Sequence, residues 1–279
     1  MKVLKERGEY LERKAWLNRD ASVLLFSASI LGMFSSLVLP SNVPMKAILF
    51  YLSALLILPG GTHLQRYLNY KKGVEGEKLV IEALLDLGDD YYLINDVKLG
   101  KGNIDHIVLG PNGVFVIETK NYSGKIICNG DEWMRHYEKG WRVNKWGIPY
   151  WGPEEDREIS SPSMQVKLNA LKIKRLIGEK FKGKITWIEG IVVFTNPEVE
   201  LELRSPTVRV LRIEELCDYI SRKESEMRLS QAELESIAEC ILNLSEENLE
   251  LDWRIAPCLL YTSDAADELD GVDLGGRRI

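Results

Sequence analysis

The hydrophobic positions of this chain follow two different patterns. Residues 21–39 form an uncharged apolar run of 19 residues, and a shorter apolar run follows at residues 47–59. From residue 72 onward, short apolar runs alternate with stretches of helical spacing. An uninterrupted run of about 20 apolar residues is long enough to cross a bilayer, whereas the alternating pattern is typical of an α/β domain. The pattern therefore predicts an N-terminal membrane segment followed by a folded soluble domain.

Residues 103–120 read NIDHIVLGPNGVFVIETK and form the clearest strand pair of the soluble part. Two arms rich in Ile, Val, Leu and Phe flank residues 110–113, which are Gly, Pro, Asn and Gly, so the segment predicts a β-hairpin. A turn symmetric about its two central residues sets Leu109 opposite Val114, whereas a bulge at Gly113 would shift the register by one. Both faces are apolar, so we expect cover on both sides, as in the central strands of an α/β sheet.

Two acids and a lysine share one face of this hairpin. The symmetric register sets Asp105 directly opposite Glu118, and Lys120 stands two residues further along on the same face. Facing carboxylates repel each other when desolvated unless positive charge lies between them, and a hard cation such as Mg²⁺ takes carboxylate oxygens. Lys120 would then orient or deprotonate a water. The alternative is a structural Asp105–Lys120 ion pair near the end of the sheet, with Glu118 in solvent.

Further elements follow from the spacing of apolar residues. Helical spacing is found at residues 74–87, 162–178, 213–220 and 231–242, and strand character at residues 91–95, 125–128, 188–195 and 208–211. Ser161 and Pro162 are typical of a helix start, and Gln165 lies one turn inside that helix. The helix lies between two strands, which suggests a right-handed crossover. Glu77 lies on the apolar stripe of the first helix, either because it serves the site or because acids are favoured at helix N-termini.

Two further features each allow two interpretations. Residues 131–156 interleave aromatic with basic side chains, namely Trp133, Tyr137, Trp141, Trp146, Tyr150 and Trp151 with Arg135, Lys139, Arg142 and Lys145. These aromatics either stack on nucleic-acid bases or pack on the sheet. His106 points to the face opposite Asp105, where it is either a hydrogen-bonded core histidine or a ligand.

A set of ordered motifs carries a family resemblance. The motifs are Gly73-x-x-Gly76-Glu77, Asn103-Ile-Asp-His-Ile-Val, Gly113-Val-Phe-Val-Ile-Glu-x-Lys-Asn121-Tyr122-x-Gly124 and Ser161-Pro162-x-x-Gln165. Together they resemble the NERD (nuclease-related) domain of the PD-(D/E)xK nuclease superfamily, over residues 72–196.

The resemblance implies a fold and a role for each matching residue. Asp105 and Glu118 would be metal ligands, with the Thr119 carbonyl beside them, and Lys120 would be the catalytic lysine. Glu77 and Gln165 would be supporting catalytic residues on helices. The implied fold is a restriction-endonuclease-like α/β core, a central mixed sheet flanked by helices, preceded here by a transmembrane helical hairpin. The implied cofactor is Mg²⁺, or Mn²⁺ in its place.

The distribution of basic residues predicts the membrane topology. Six Lys and Arg residues precede the first apolar run and three follow the second, but the connecting loop has only Lys46. By the positive-inside rule, both ends of a two-span hairpin over residues 21–62 face the cytoplasm. A signal peptide and a soluble helical hairpin are the competing interpretations. We therefore expect a multi-pass cell-membrane protein with a cytoplasmic soluble domain.

Composition adds limits rather than a new hypothesis. The formal net charge is -6, which argues against a surface coated with basic residues for nucleic acid but allows a local basic groove. Four scattered cysteines without a C-x-x-C pair indicate neither a zinc site nor a disulfide framework. The sequence predicts no particular oligomeric state.

The last residues have a different character. Residues 258–279 read CLLYTSDAADELDGVDLGGRRI and resemble a translated sequencing-library adapter, which we exclude from fold reasoning. The predicted organisation is a basic cytoplasmic N-terminus at residues 1–20, two transmembrane helices at residues 21–62, the nuclease-like domain at residues 72–196, and a strand with helices at residues 197–257.

The leading hypothesis for function is a membrane-anchored, Mg²⁺-dependent nuclease that hydrolyses the phosphodiester bonds of DNA or RNA. The alternative is a non-catalytic nucleic-acid-binding or regulatory module on the same fold. A third interpretation is a membrane scaffold with a degenerate nuclease fold. An enzyme needs Asp105, Glu118 and Lys120 to converge on a gap the size of a metal ion, whereas a binding module needs only a basic, aromatic groove.

Overall fold

A computed structural model describes residues 1–38, 40, 44–99, 102–144, 146–178, 181, 185, 187–225 and 228–246. Lys145, the end of the predicted C-terminal region and the adapter-like residues 258–279 lie outside the described residues. The chain divides into two compact units. The first contains Met1–Gly8, Glu75–Tyr137 and the described residues between 155 and 246, and the second contains Glu9–Val74 and Glu138–Glu154.

Strands and helices are numbered in chain order. The strands are β1 (Lys2–Lys5), β2 (Tyr92–Lys98), β3 (Asn103–Gly110), β4 (Gly113–Lys120), β5 (Gly124–Asn129), β6 (Glu132–Tyr137), β7 (Gly140–Val143), β8 (Pro149–Gly152), β9 (Glu155–Glu158), β10 (Glu189–Phe194), β11 (Val199–Arg204) and β12 (Arg209–Arg212). The helices are α1 (Tyr10–Val38), α2 (Met45–Leu55), α3 (Ile57–Leu84), α4 (Pro162–Gly178), α5 (Leu216–Arg222) and α6 (Gln231–Glu246), with a 3₁₀ turn at Ile213–Glu215 before α5.

The first unit is built on a six-stranded mixed sheet of order β1-β2-β3-β4-β10-β12. β2, β3 and β4 are antiparallel, whereas β1, β10 and β12 each run parallel to their neighbours. α4 precedes β10, which lies parallel to β4, so the connection between these two strands is a crossover that contains a helix. The predicted strand at residues 125–128 is β5, but it pairs in a separate sheet of order β11-β5-β6-β9. The prediction of a mixed sheet flanked by helices is confirmed.

The β3–β4 hairpin is buried on both faces, as predicted. Ile107 and Val116 belong to one apolar core, which includes residues of α4 and α6. Val108 and Phe115 belong to a second core on the other face, which includes residues of α3 and α5. Because neither face meets water, the hairpin lacks the alternation of apolar and polar residues that marks a half-exposed strand.

The N-terminal residues form a strand that the hydrophobic pattern did not predict. β1 pairs in parallel with β2 at the edge of the sheet, and the Lys2 amide donates to the Tyr91 carbonyl at 2.8 Å. The Asn95 side-chain amide donates to the Lys5 carbonyl at 3.0 Å. The sequence of β1, KVLK, is short and charged, which suits an edge strand but resembles a basic tail when read alone.

The second unit contains α1, α2, the first part of α3 and the β7–β8 hairpin. Four small residues are the buried positions of α1, namely Ala15, Ser22, Ser29 and Ser36. The Ser22 hydroxyl donates to the Gly60 carbonyl at 3.0 Å. α3 continues through Gly60 and Gly61, although glycine weakens a helix, because both glycines allow close packing: Gly60 adjoins the Phe26 ring and Gly61 adjoins the backbone at Trp146. By length and composition, the stretches Tyr10–Val38 and Met45–Leu84 are sufficient to cross a membrane.

Candidate active site

The hairpin has the symmetric register that the turn residues predict. Leu109 pairs with Val114 and His106 with Ile117, so Gly113 does not introduce a bulge. Gly113 has a φ of 147°, which glycine adopts at little cost. Continuing the register by one position sets Asp105 opposite Glu118. The two predicted metal ligands therefore lie on neighbouring strands at the same level of the sheet.

Glu118 and Lys120 form a buried ion pair. The Lys120 Nζ atom lies 3.0 Å from Glu118 Oε1, and the two residues are only 7% and 2% exposed respectively. Lys120 also donates to the Gln165 Oε1 atom at 3.3 Å. Glu118 is therefore buried and paired with Lys120, which corrects the part of the alternative that left Glu118 in solvent. Three of the predicted site residues are thus in direct contact.

The Asp105 carboxylate is held by a backbone hydrogen bond from β4. Its Oδ2 atom accepts a hydrogen bond from the Thr119 backbone amide at 2.8 Å. Thr119 lies between Glu118 and Lys120, so this bond fixes the Asp105 side chain across the strand from both. A backbone donor stabilises the ionised carboxylate, which is the form that can bind a cation.

The start of α4 is held by a polar network that fixes Gln165. The Ser161 hydroxyl accepts from the Met164 amide at 3.3 Å, which confirms the predicted N-cap. Asp131 accepts from Ser163 at 2.7 Å and from Lys167 at 2.8 Å, and Thr207 donates to it as well. Burial favours the neutral carboxyl of Asp131, but these hydrogen bonds outweigh burial and lower its pKa. The ionised Asp131 therefore anchors the first turn of the helix that carries Gln165.

Gly76 brings α3 close to the strand that carries the site. A Cβ atom at position 76 would lie 3.1 Å from both Asn121 Cβ and Thr195 Oγ1, and 3.4 Å from Thr119 Cγ2. Such approaches are tight, so a side chain here would push the helix away from β4. The Gly76-Glu77 pair in the sequence motif therefore sets how closely α3 packs on β4 and places Glu77 at that contact. The glycine permits the approach, and Glu77 follows it.

Glu77 has a partly buried carboxyl, with its side chain 15% exposed, in an acidic environment. Burial is the main cause that raises its pKa to about 8, and the charges of Asp105 and Asp96 act in the same direction. Arg7 opposes them, with its Nη1 atom 3.4 Å from Glu77 Oε2. Glu77 therefore retains its proton for most of the time at neutral pH, and it interacts electrostatically with Asp105.

Arg7 and Asp96 are the residues of this region that the sequence motifs did not indicate. Arg7 follows β1 and is one of the six basic residues whose distribution predicts the membrane topology. Asp96 adopts a φ of 50°. Its Oδ1 atom accepts a hydrogen bond from the side-chain amide of Asn103 at 2.6 Å. No local signal connects Arg7 with Glu77, because 70 residues separate them in the chain. Only the pairing of β1 with β2 brings Arg7 to the site.

His106 is a core histidine, as the first of its two interpretations predicted. It is fully buried, and its Nδ1 atom lies 2.8 Å from Asn95 Oδ1. The Asn95 amide nitrogen already donates to Lys5, so Asn95 Oδ1 accepts and His106 Nδ1 carries the proton. Burial first, and the charge of Arg7 second, lower the pKa of His106 to about 3. The ring is therefore neutral at physiological pH.

The tryptophans of residues 131–156 have two different fates. Trp133 is buried, stacks on Phe194 with ring centroids 5.9 Å apart, and donates to Ser163 at 3.0 Å. Trp141, Trp146 and Trp151 belong to the second unit and are exposed. Packing on the sheet is therefore correct for Trp133 and wrong for the other three.

The donor atoms of the site suit a hard cation. Asp105 and Glu118 supply carboxylate oxygens, the ligands that Mg²⁺ and Mn²⁺ prefer, and Mg²⁺ is typically held by one or two carboxylates while retaining several waters. Among the described residues, no three His, Cys, Asp or Glu side chains lie close enough together to hold a metal ion. Glu77 thus does not join Asp105 and Glu118 in one ligand set. The chemistry of the two carboxylates therefore fits a hard cation.

Comparison with known proteins agrees with this geometry. Residues 72–195 match the family model described as the nuclease-related domain, NERD. An uncharacterized protein of Bacillus anthracis is 37% identical over 89 residues, which cover 29% of this chain and 42% of that protein. The chain therefore spans less than half the length of this relative. No solved structure matches the chain. The family match begins and ends within one residue of the segment predicted from the motifs.

Proposed function

Residues 72–195 match the nuclease-related domain, and from this premise we propose that the chain is a membrane-anchored, metal-dependent nuclease that hydrolyses phosphodiester bonds of DNA or RNA. One observation carries the proposal. The register of the β3–β4 hairpin, continued one position beyond the His106–Ile117 pair, sets Asp105 opposite Glu118, and Lys120 Nζ lies 3.0 Å from Glu118 Oε1. Two carboxylates and a lysine on one sheet face provide both cation ligands and a group that can position water.

The carboxylates define where the cation would bind. Asp105 and Glu118 would hold Mg²⁺ or Mn²⁺, with the Thr119 carbonyl as a further ligand. The ion would supply electrostatic stabilisation of the negative charge that develops on the phosphate. Asp105 is oriented for this role by the Thr119 amide, and Glu118 by Lys120.

Lys120 would act on the attacking water. Glu118 and Gln165 hold its Nζ atom from two sides, which limits the ammonium group to a narrow range of positions. A buried ammonium loses hydration, and burial favours its neutral form, whereas Glu118 favours the charged form. In its charged form Lys120 would orient the water, and in its neutral form the amine would accept the proton that the water loses.

Glu77 and Arg7 would support the site rather than bind the cation. A protonated Glu77 adds no negative charge beside Asp105, and Arg7 offsets the charge when Glu77 ionises. The pair would keep Asp105 available to the cation over the neutral pH range.

The side-chain distribution of α1 supports membrane anchoring. The buried residues of this helix are small, whereas large apolar residues such as Leu24, Leu31 and Phe34 are exposed. A helix in water shows the reverse arrangement, because large apolar side chains drive burial. In lipid, small residues line helix contacts and large apolar residues face the acyl chains. Gly32 of α1 adjoins Ser53 of α2 in the same manner.

Strand pairing also supports a two-span topology. β1 precedes α1 and pairs with β2, which follows α3. Both strands belong to one sheet, so the chain must return to the side of the membrane from which it left. The excess of Lys and Arg outside the connecting loop supports the cytoplasm as that side.

A non-catalytic nucleic-acid-binding module is the second candidate. The observation that favours it is that the described residues contain no cluster of three metal ligands, and that Lys120 is already paired with Glu118. Such a module would bind DNA or RNA without cleaving it and would show no dependence on Mg²⁺.

The test is a nuclease assay on the full chain in lipid nanodiscs, with single- and double-stranded DNA and RNA, in Mg²⁺ or in EDTA. Cleavage should require Mg²⁺ and should be lost in Asp105→Asn, in which the side-chain oxygen can still accept from Thr119. Glu118→Gln should also lose activity, but it leaves the buried Lys120 charge without its partner and should unfold more easily. Glu198→Gln, an exposed acid, is the matched control. Binding without cleavage by the folded protein would favour the second candidate.

A further inference from the structure

The β7–β8 hairpin presents an unusual number of exposed aromatic residues. Trp141, Trp146 and Trp151 are 72%, 50% and 56% exposed. Trp141 and Trp151 face each other across the two strands and meet edge to face, with ring centroids 5.7 Å apart. Large apolar surface of this kind marks a site of interaction with another molecule or with a membrane.

The hairpin packs on α3 at the end of its apolar part. The apolar run at residues 47–59 is followed immediately by Gly60 and Gly61. A Cβ atom on Gly61 would lie only 2.8 Å from the Trp146 carbonyl oxygen, so the turn of the hairpin rests directly on this helix. Beside this contact, a groove of ≈ 490 Å³ lies between α3 and the turn of the hairpin. It is lined by Leu58, Pro59, Thr62, His63, Trp146 and Ile148.

Polar side chains appear at the same level of the helices. His63 Nδ1 lies 2.9 Å from Asn18 Oδ1, a contact between α3 and α1. One turn earlier, the contact between these helices is made by Ser22 and Gly60. The level of Gly61 is therefore where the apolar helix pair becomes polar, which is the expected depth of the lipid headgroups.

We infer that the β7–β8 hairpin is a membrane-surface anchor, which inserts Trp141 and Trp151 into the headgroup region of the bilayer that holds α1 and α2. The inference rests on the membrane anchoring proposed above. Indole rings favour this region because one end of the ring is apolar and the N–H group finds a hydrogen-bond partner in headgroups or water. The protein would thereby contact the bilayer through the hairpin as well as through its membrane-spanning helices.

Charge favours lipid over nucleic acid as the occupant. Residues 138–154 contain three basic and two acidic residues, so the segment has little excess positive charge. A groove that follows a nucleic-acid backbone needs a concentration of Lys and Arg. Tryptophans beside the end of an apolar helix need no such charge to enter a headgroup layer.

The test uses the full chain in phosphatidylcholine–phosphatidylglycerol vesicles, with a small environment-sensitive fluorescent amino acid at one position at a time. The positions are Trp141 and Trp151 in the hairpin, Leu31 on the exposed face of α1, and Trp187, an exposed tryptophan of the nuclease-like unit. Quenching by lipids that carry a nitroxide in the headgroup or deep in the acyl chain reports the depth of each probe. We expect headgroup quenching at 141 and 151, acyl-chain quenching at 31, and little quenching at 187.

The four positions separate failure of the inference from failure of the anchoring. Quenching at 31 with hairpin probes that behave like 187 overturns the inference and leaves the anchoring in place. A probe at 31 that no lipid quenches overturns the anchoring itself. Hairpin probes that respond to single-stranded DNA without lipid, and not to nitroxide lipids, identify a nucleic-acid surface and overturn the inference.

Discussion

At the scale of single residues, Lys120 is the side chain whose role depends most on its surroundings. It lies between Glu118 at 3.0 Å and Gln165 at 3.3 Å on a buried sheet face. A lysine in this position serves either as a structural counter-ion or as the group that moves a proton. The two roles respond differently to arginine, which keeps the charge but cannot lose its proton in a protein.

Lys120→Arg should therefore fold and bind metal but lose turnover. General acid–base assistance is typically worth roughly 10²- to 10⁴-fold, so we expect a loss of that size in kcat with little change in the Mg²⁺ concentration required. Single-turnover cleavage and a thermal melt of each variant measure the two effects. Lys125→Arg, at an exposed ion pair with Glu202, is the control. Near-normal turnover in Lys120→Arg would reject the catalytic role.

Glu77 should make stability depend on pH. In the unfolded chain its pKa is near the ordinary value of 4.5, and in the folded chain it is about 8. Between these values the unfolded chain has released the proton that the folded chain still holds, so raising the pH favours unfolding. In EDTA, the Tm of the parent should fall more between pH 5 and pH 8 than the Tm of Glu77→Gln, which cannot titrate. Equal slopes, with Glu198→Gln as the reference, would contradict the raised pKa.

At the scale of elements, the approach of α3 to β4 decides where Glu77 lies. The helix can come close only because position 76 has no side chain, and the nearest atoms belong to Thr119, Asn121 and Thr195. Thr119 lies on β4, and Asn121 and Thr195 directly follow β4 and β10. Both strands are interior strands of the six-stranded sheet. The contact is therefore rigid on both sides.

Gly76→Val should displace the helix and reduce activity more than stability alone explains. The added carbons cannot fit beside Asn121 and Thr195, and crowding of this kind typically costs about 1–3 kcal/mol. We expect a lower Tm and a further loss of kcat that persists at temperatures where the variant is fully folded. Gly88→Val, at an exposed glycine with open space around it, is the matched control. Unchanged turnover in folded Gly76→Val would show that the position of Glu77 is unimportant for cleavage.

At the scale of the whole molecule, one sheet contains strands from both sides of the apolar helices. β1 lies before them in the chain and β2 after them, so the proposed spans must occur in an even number. This condition is independent of the charge distribution, from which we propose the side on which the sheet lies.

Fusions should report the same topology. Alkaline phosphatase, which is active only outside the cytoplasm, should be active when inserted after Pro40 and inactive when fused after Glu246. A fluorescent protein that folds only in the cytoplasm should give the opposite result. Activity of the phosphatase fusion after Glu246 would contradict a cytoplasmic domain, and activity at neither position would contradict the membrane hairpin.

The sequence by itself determined the parts of this protein that local chemistry controls. The turn residues at 110–113 predicted the hairpin and limited its register to two possibilities, because proline fixes φ and glycine adopts turn conformations that other residues avoid. Ser161 and Pro162 predicted the start of α4, and Gly178 its end, for the same reason. The apolar runs predicted helices long enough to span a bilayer. Facing carboxylates followed from the register alone, so Asp105 and Glu118 were predicted before any tertiary contact was known.

Only the tertiary structure decided which distant segments meet. The pairing of β1 with β2 brings Arg7 to Glu77, and the packing of the β7–β8 turn on Gly61 leaves Trp141 and Trp151 exposed while Trp133 is buried. A short charged strand at a sheet edge has too few apolar residues to be predicted from the hydrophobic pattern. A tryptophan has the same local sequence pattern whether it faces a core, a nucleic acid or lipid. Contacts across many residues depend on the energy of the whole fold, which no local pattern contains.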